Sequence, residues 1–150
     1  MLQLNLPSYS FRIKIQNDKQ FIFDNQRKKF VTLTPEEWVR QNFIRFLIEE
    51  KDYPASFIAV EKLVEVNGMR KRCDAIVYNS NFEPIMIVEF KAPQVSLIQK
   101  TFDQAAIYNS KLKVNYLIIS NGLDHFSCMV DTENCRYNFL QTIPSYNSII

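Results

Sequence analysis

Arg72-Cys73-Asp74-Ala75-Ile76-Val77, followed by Ile87-Val88-Glu89-Phe90-Lys91, is the stretch that decides the fold. Both segments read as apolar strands, and each carries charge in its interior. Apolar strands seldom hold two carboxylates and an ammonium, because buried charge is costly unless it is paired or bound to a cation. Side chains two apart on a strand share a face, so Glu89 and Lys91 project together, with Ile85 and Ile87 beneath them. If the two strands pair as a hairpin around Asn79–Pro84, Asp74 comes close to the Glu89 end.

Working outward from this pair, residues 57–66 read as a preceding strand and Asn67-Gly68 as a turn. Upstream, Thr34-Pro35-Glu36-Glu37 opens a helix that runs to about residue 50. Thr34 is its N-cap, Pro35 suits the first position, and Glu37 falls where a capping box places its acid. Trp38, Val39, Phe43, Phe46 and Leu47 give that helix an apolar face, and Pro54 closes the region. Residues 9–33 read as short strands separated by Asn17-Asp18 and Asp24-Asn25. Downstream, residues 97–111 form a second helix, with Leu97, Phe102, Ala105, Ala106 and Ile107 available for burial. Val114–Ser120 is a strand apolar enough to be covered on both faces, and residues 125–130 and 135–140 form a hairpin. The order predicts an α/β fold: a mixed sheet flanked by helices, with additional N-terminal strands and a C-terminal hairpin.

A chain of 150 residues fits one domain, 1–150, with a sizeable core, and 47% hydrophobic and 23% charged residues are ordinary for a globular protein. Its two glycines, Gly68 and Gly122, exclude a glycine-rich phosphate cradle and a nucleotide-driven motor. A net charge of +2 permits nucleic-acid binding without arguing for it. Cys73, Cys128 and Cys135 lack any CxxC spacing and read as reduced thiols; a Cys128–Cys135 bridge is the less favoured alternative. The N-terminus lacks the pattern of a signal peptide, and no run approaches the length of a membrane span, so the expected location is cytoplasmic.

The charged residues in the two strands suit metal-assisted phosphodiester hydrolysis. Mg²⁺ takes a few carboxylate oxygens and completes its shell with water and phosphate oxygens, and Asp74, Glu89 and the Phe90 carbonyl would supply the protein's share. Lys91 would position or deprotonate the attacking water, or stabilise the developing charge; the sequence leaves these roles open. The bland alternative is an ion-paired cluster at a strand end. It suits any one of these residues alone better than it suits all three in adjacent apolar strands.

Asp74…Glu89-Phe90-Lys91, followed by Ala92-Pro93, resembles the PD-(D/E)XK nuclease signature. More narrowly, the chain resembles the N-terminal nuclease domain of type I restriction enzyme R subunits. Thr34–Gln41, Arg72-Cys73-Asp74, Ile87–Pro93, Gln104–Tyr108 and Ile119–Gly122 carry that resemblance, which covers about residues 30–125. It implies a restriction-endonuclease-like fold, dependence on Mg²⁺ with Mn²⁺ as substitute, and DNA as the substrate. It also implies partners among restriction-modification proteins and leaves a homodimer open. Cys73 stands where the motif has proline. R subunits continue into an ATP-dependent translocase that this sequence does not contain, so a complete R subunit is not expected.

Related nucleases carry a first-helix glutamate at the metal. Glu36 shares the helix face of Val39, Phe43 and Leu47 and is assigned to the site, leaving Glu37 to the cap; the plain alternative is favourable charge at a helix N-terminus. Gln104 and Tyr108, four apart on one helix face, match a QxxxY motif that the resemblance places near the site and the DNA. A half-buried tyrosine with a polar neighbour explains them equally well. His125, the only histidine, reads as structural, and Arg27-Lys28-Lys29 and Arg70-Lys71-Arg72 read as solvated turns. The competing reading for the whole chain is a non-catalytic module that keeps the nuclease fold and binds DNA or a partner.

Overall fold

The computed structural model describes residues 1–131, 133–134 and 136–150, without the side chains of Val66, Ile107, Tyr108, Ser110 and Lys111. Cys135 and the burial expected of Ile107 therefore lie outside the described residues.

Three N-terminal strands, β1 (Ile13–Gln16), β2 (Lys19–Asp24) and β3 (Lys29–Thr32), form an antiparallel sheet of their own. Asn17 and Asp18 both adopt positive φ, 53° and 61°, which is what a two-residue hairpin turn requires. Helix α1 (Pro35–Lys51) begins as the sequence predicts, with the Thr34 side chain accepting the Glu37 N–H at 3.0 Å. The reciprocal half of the capping box does not form. The Thr34 N–H goes to the Thr32 carbonyl, and the Glu37 carboxylate turns to two arginines instead. The helix stops before Pro54, at Asp52, whose left-handed φ of 61° caps it.

A short 3-10 turn leads into the main sheet. Its strands are β4 (Ile58–Val66), β5 (Met69–Tyr78), β6 (Pro84–Phe90), β7 (Tyr116–Ser120), β8 (His125–Asp131) and β9 (Arg136–Leu140), in that spatial order. All neighbours are antiparallel except β6 and β7, which run parallel because helix α2 (Gln99–Leu112) carries the chain back between them. Asn67 and Gly68, both at positive φ, turn β4 into β5. A one-turn helix, α3 (Tyr146–Ile149), follows the expected C-terminal hairpin; four residues leave too little periodicity to read from sequence.

The sheet divides the core. Val39, Phe43 and Leu47 of α1 pack with Ala75, Val77, Val88, Phe90 and Ile118. Phe102 and Ala105 of α2 pack with Ile87, Leu117, Ile119 and Cys128. Leu117, Ile118 and Ile119 thus serve alternate cores, which is why β7 is apolar throughout. Ile85, expected beside Ile87, joins the α1 core instead. Among the described residues no helix is long and apolar enough to cross a membrane.

Candidate active site

Strands β5 and β6 pair as Ala75↔Val88, Ile76↔Ile87 and Val77↔Met86, a register that brings Asp74 opposite Glu89. There the ladder opens into a fork. Asp74 Oδ2 accepts the Phe90 N–H at 2.7 Å, so the side chain replaces a backbone partner. Beyond the fork β6 follows β7, and the Lys91 N–H reaches the Ser120 carbonyl at 2.9 Å. Asp74, Glu89 and Lys91 are each half-buried at this opening.

Burial raises the Glu89 pKa first. The Asp74 charge and a side-chain hydrogen bond with Asp74 raise it further, while Lys91 opposes, and the result is pushed up to about 9. Glu89 Oε1 is buried without a hydrogen-bond partner. Glu36, in the first turn of α1, belongs to the same electrostatic group. Desolvation raises its pKa, Asp74 adds to the rise, and Arg40 and Lys91 counter it. The fold thus brings Glu36, Asp74, Glu89 and Lys91 together from three elements.

Behind Glu36 lies an ion network that the sequence reading missed. Arg27 pairs with Asp24 and Glu37; Arg40 pairs with Glu37 and Glu61; Arg72 pairs with Glu61 at 3.1 Å. Three carboxylates and three guanidiniums balance, and they tie β2, α1, β4 and β5 together. Glu61 falls between the pairs Val60↔Ala75 and Lys62↔Cys73, at the register position of Asp74, and carries a φ of 54° inside its strand. A non-glycine residue in that conformation is strained and persists only where its surroundings hold it. The available signal was the Glu37–Arg40 spacing of three on one helix face. Glu61 had none, because its neighbours Val60 and Lys62 read as ordinary strand alternation.

Gln104 is exposed on α2, and among the described residues no hydrogen bond or ion pair joins it to the cluster. The Tyr108 side chain lies outside the described residues. His125 is structural, as read: Nδ1 meets Ser120 Oγ at 2.7 Å and Nε2 meets the Asn5 carbonyl at 2.9 Å. Cys73 and Cys128 are buried free thiols, and Phe82 is exposed in its turn. Of the two basic clusters, Arg27 is taken up by the ion network, whereas Arg72 reaches Glu61 while its side chain stays 65% exposed, as a solvated turn leaves it.

Among the described residues no group of three or more His, Cys, Asp and Glu side chains is arranged to hold a metal ion. Mg²⁺ does not require such a cage; one or two carboxylates suffice when water and phosphate fill the rest of its shell. The donor set fits. Two hard carboxylates face each other, and Glu89 has a buried, unpartnered oxygen and a pKa raised by burial and by Asp74, a rise that a bound cation would oppose.

A family model described as the type I restriction enzyme R protein N terminus matches residues 35–144. Among solved structures, a fragment described as an HsdR subunit of a type I restriction enzyme from Vibrio vulnificus YJ016 is similar in fold. Its TM-score is 0.57 at 22% identity, with 78% of this chain and 24% of that chain covered. The chain therefore spans about a quarter of the length of that fragment. No curated protein matches.

Proposed function

We propose, from the premise that the chain belongs to the type I restriction enzyme R protein N-terminus family, that it is a metal-dependent DNA endonuclease with a PD-(D/E)XK site. The observation that carries this reading is the fork between β5 and β6. It holds Asp74 opposite Glu89, with Lys91 alongside and a buried, unpartnered Glu89 oxygen, and burial and the Asp74 charge push the Glu89 pKa up to about 9.

Asp74 and Glu89 hold the cation, and the Phe90 carbonyl is the candidate backbone ligand. The Phe90 N–H fixes the Asp74 carboxylate, so one ligand is oriented before anything binds. When bound there, Mg²⁺, or Mn²⁺ in its place, would acidify a water and offset charge on the reacting phosphate. Lys91 positions or deprotonates that water, or stabilises the charge that develops as the phosphorus–oxygen bond breaks. Glu36 is the third carboxylate at the site, held at the N-terminus of α1. Gln104 and Tyr108, on α2, are the candidate DNA contacts.

The partners are DNA and, through the family, other restriction-modification proteins in the cytoplasm. One site cuts one strand, so double-strand cleavage calls for a homodimer or two successive events. Nicking of supercoiled plasmid in Mg²⁺ or Mn²⁺ is the test. The parent protein nicks and Lys91→Ala does not; a parent that fails to nick overturns the proposal in favour of a non-catalytic binding module, and a Lys91→Ala variant that nicks equally overturns the assignment of this site.

A further inference from the structure

The sheet formed by β1–β3 lies ahead of the family-matched residues 35–144, and the nuclease reading gives it no task. Its register pairs Lys14 with Phe21, Gln16 with Lys19, Phe21 with Thr32, and Phe23 with Phe30. Because side chains alternate across a sheet, Arg12, Lys14, Lys19, Phe21, Phe23 and Phe30 share one face. The opposite face carries Ile22 and Asp24, both buried. On the first face Arg12, Lys14 and Lys19 are exposed and the three phenylalanines are half-buried.

Two of the three cations stand over the rings. The Arg12 guanidinium carbon lies 4.7 Å from the centre of Phe23 and 5.4 Å from that of Phe30. Lys14 Nζ lies 4.3 Å from Phe30 and 5.8 Å from Phe21. Among the described residues none of the three cations has a carboxylate partner. The sheet is also fixed to the helix that bears Glu36. Arg27, in the β2–β3 loop, pairs with Glu37, and Phe11, just ahead of β1, packs edge-on against Trp38.

We propose that this face binds single-stranded DNA and holds it beside the β5–β6 fork. Unpaired positive charge is complementary to a phosphate backbone, and aromatic rings are complementary to unstacked bases. The two features are coupled here. When Arg12 or Lys14 swings to a phosphate it uncovers a ring on which a base stacks. Duplex DNA keeps its bases stacked inside and can use only the charges. The choice of DNA over RNA rests on the nuclease reading; the binding face itself does not.

The test is fluorescence anisotropy of labelled oligothymidine and of a duplex of equal length, with chelator present so that no divalent cation contributes. The parent binds the single strand more tightly than the duplex. Arg12→Glu/Lys14→Glu weakens single-strand binding at least tenfold and flattens its salt dependence by about 1.4 in log–log slope, the loss of two phosphate contacts. Phe30→Leu, which keeps an apolar side chain there, weakens it about tenfold without changing that slope. A Lys14→Gln substitution at this exposed position supplies a milder version should the charge reversal unfold the chain. Because the chelated assay reads binding alone, with no cleavage step, a failure of the nuclease reading is separable from a failure of this one. Equal affinity for duplex and single strand, binding unmoved by the Arg12, Lys14 and Phe30 changes, or tighter binding of oligouridine overturns the proposal.

Discussion

Arg40→Ala should be among the most costly single substitutions outside the apolar core. The Arg40 side chain is 8% exposed and bridges Glu37, 3% exposed, and Glu61, 16% exposed. Removing one partner of a buried ion pair typically costs about 3–5 kcal/mol, because the charge left behind stays desolvated. Glu37 keeps Arg27 and Glu61 keeps Arg72, so the lower end applies, about 3 kcal/mol. In urea unfolding with a slope of about 2 kcal/mol per molar, the midpoint should fall by about 1.5 M with the slope unchanged. Glu49→Ala is the comparison. Its pair with Arg45 is long, at 3.7 Å, and Glu49 is 51% exposed, so it should cost less than about 0.5 kcal/mol. If Arg40→Ala moved the midpoint no further than Glu49→Ala, the network would be surface decoration and its role in holding α1 against β4 would be refuted.

The metal-free protein should lose stability as pH rises. Folded Glu89 titrates near 9 against an ordinary 4.5, so the folded form holds a proton that the unfolded chain has released between those values. That contribution is complete below about pH 4.5 and lost as pH climbs through about 9. Glu89→Gln, which preserves shape and can donate to Asp74, should flatten this decline and raise chemical-denaturation stability at pH 8 by about 2 kcal/mol, well under the full shift because the site lies at a half-open strand fork. A decline unchanged in the variant would count against the pairing. Gly122→Ala should lower the melting temperature more than Gly68→Ala. Both glycines have positive φ, but only at Gly122 would a Cβ meet Leu4 Cδ2 at 2.7 Å and Val39 Cγ2 at 3.1 Å, while Gly68 has nothing within 4 Å. Equal losses would mean that the Leu4 contact yields freely.

Much of this arrangement was legible before the structure, for local reasons. Thr34-Pro35 and Asn67-Gly68 act within a few residues, so helix start and hairpin could be read directly. The pairing of Asp74 with Glu89 was legible because a hairpin loop is short and its register follows the apolar alternation of both strands. The Glu37 carboxylate was misjudged because only Arg40 among its ion partners is local, and the rest of the network comes from elsewhere. Arg27 reaches it from the N-terminal sheet, and Arg40 joins it to Glu61 on β4. Such pairings depend on how elements pack, which periodicity does not encode. The same holds for the positive φ of Glu61. The basic-aromatic face of β1–β3 was in plain view as alternating Arg12, Lys14 and Phe21, Phe23, but only the register shows that they share a side.

The most direct test of the nuclease account is Mn²⁺ binding followed by the electron paramagnetic resonance of the free ion. Titrated into the parent protein, Mn²⁺ should be taken up and its free signal suppressed, whereas Asp74→Asn and Glu89→Gln should each leave the signal as it is in buffer. Uptake by the two variants equal to that of the parent, or no uptake by the parent, would contradict the assignment of the β5–β6 fork as a metal site.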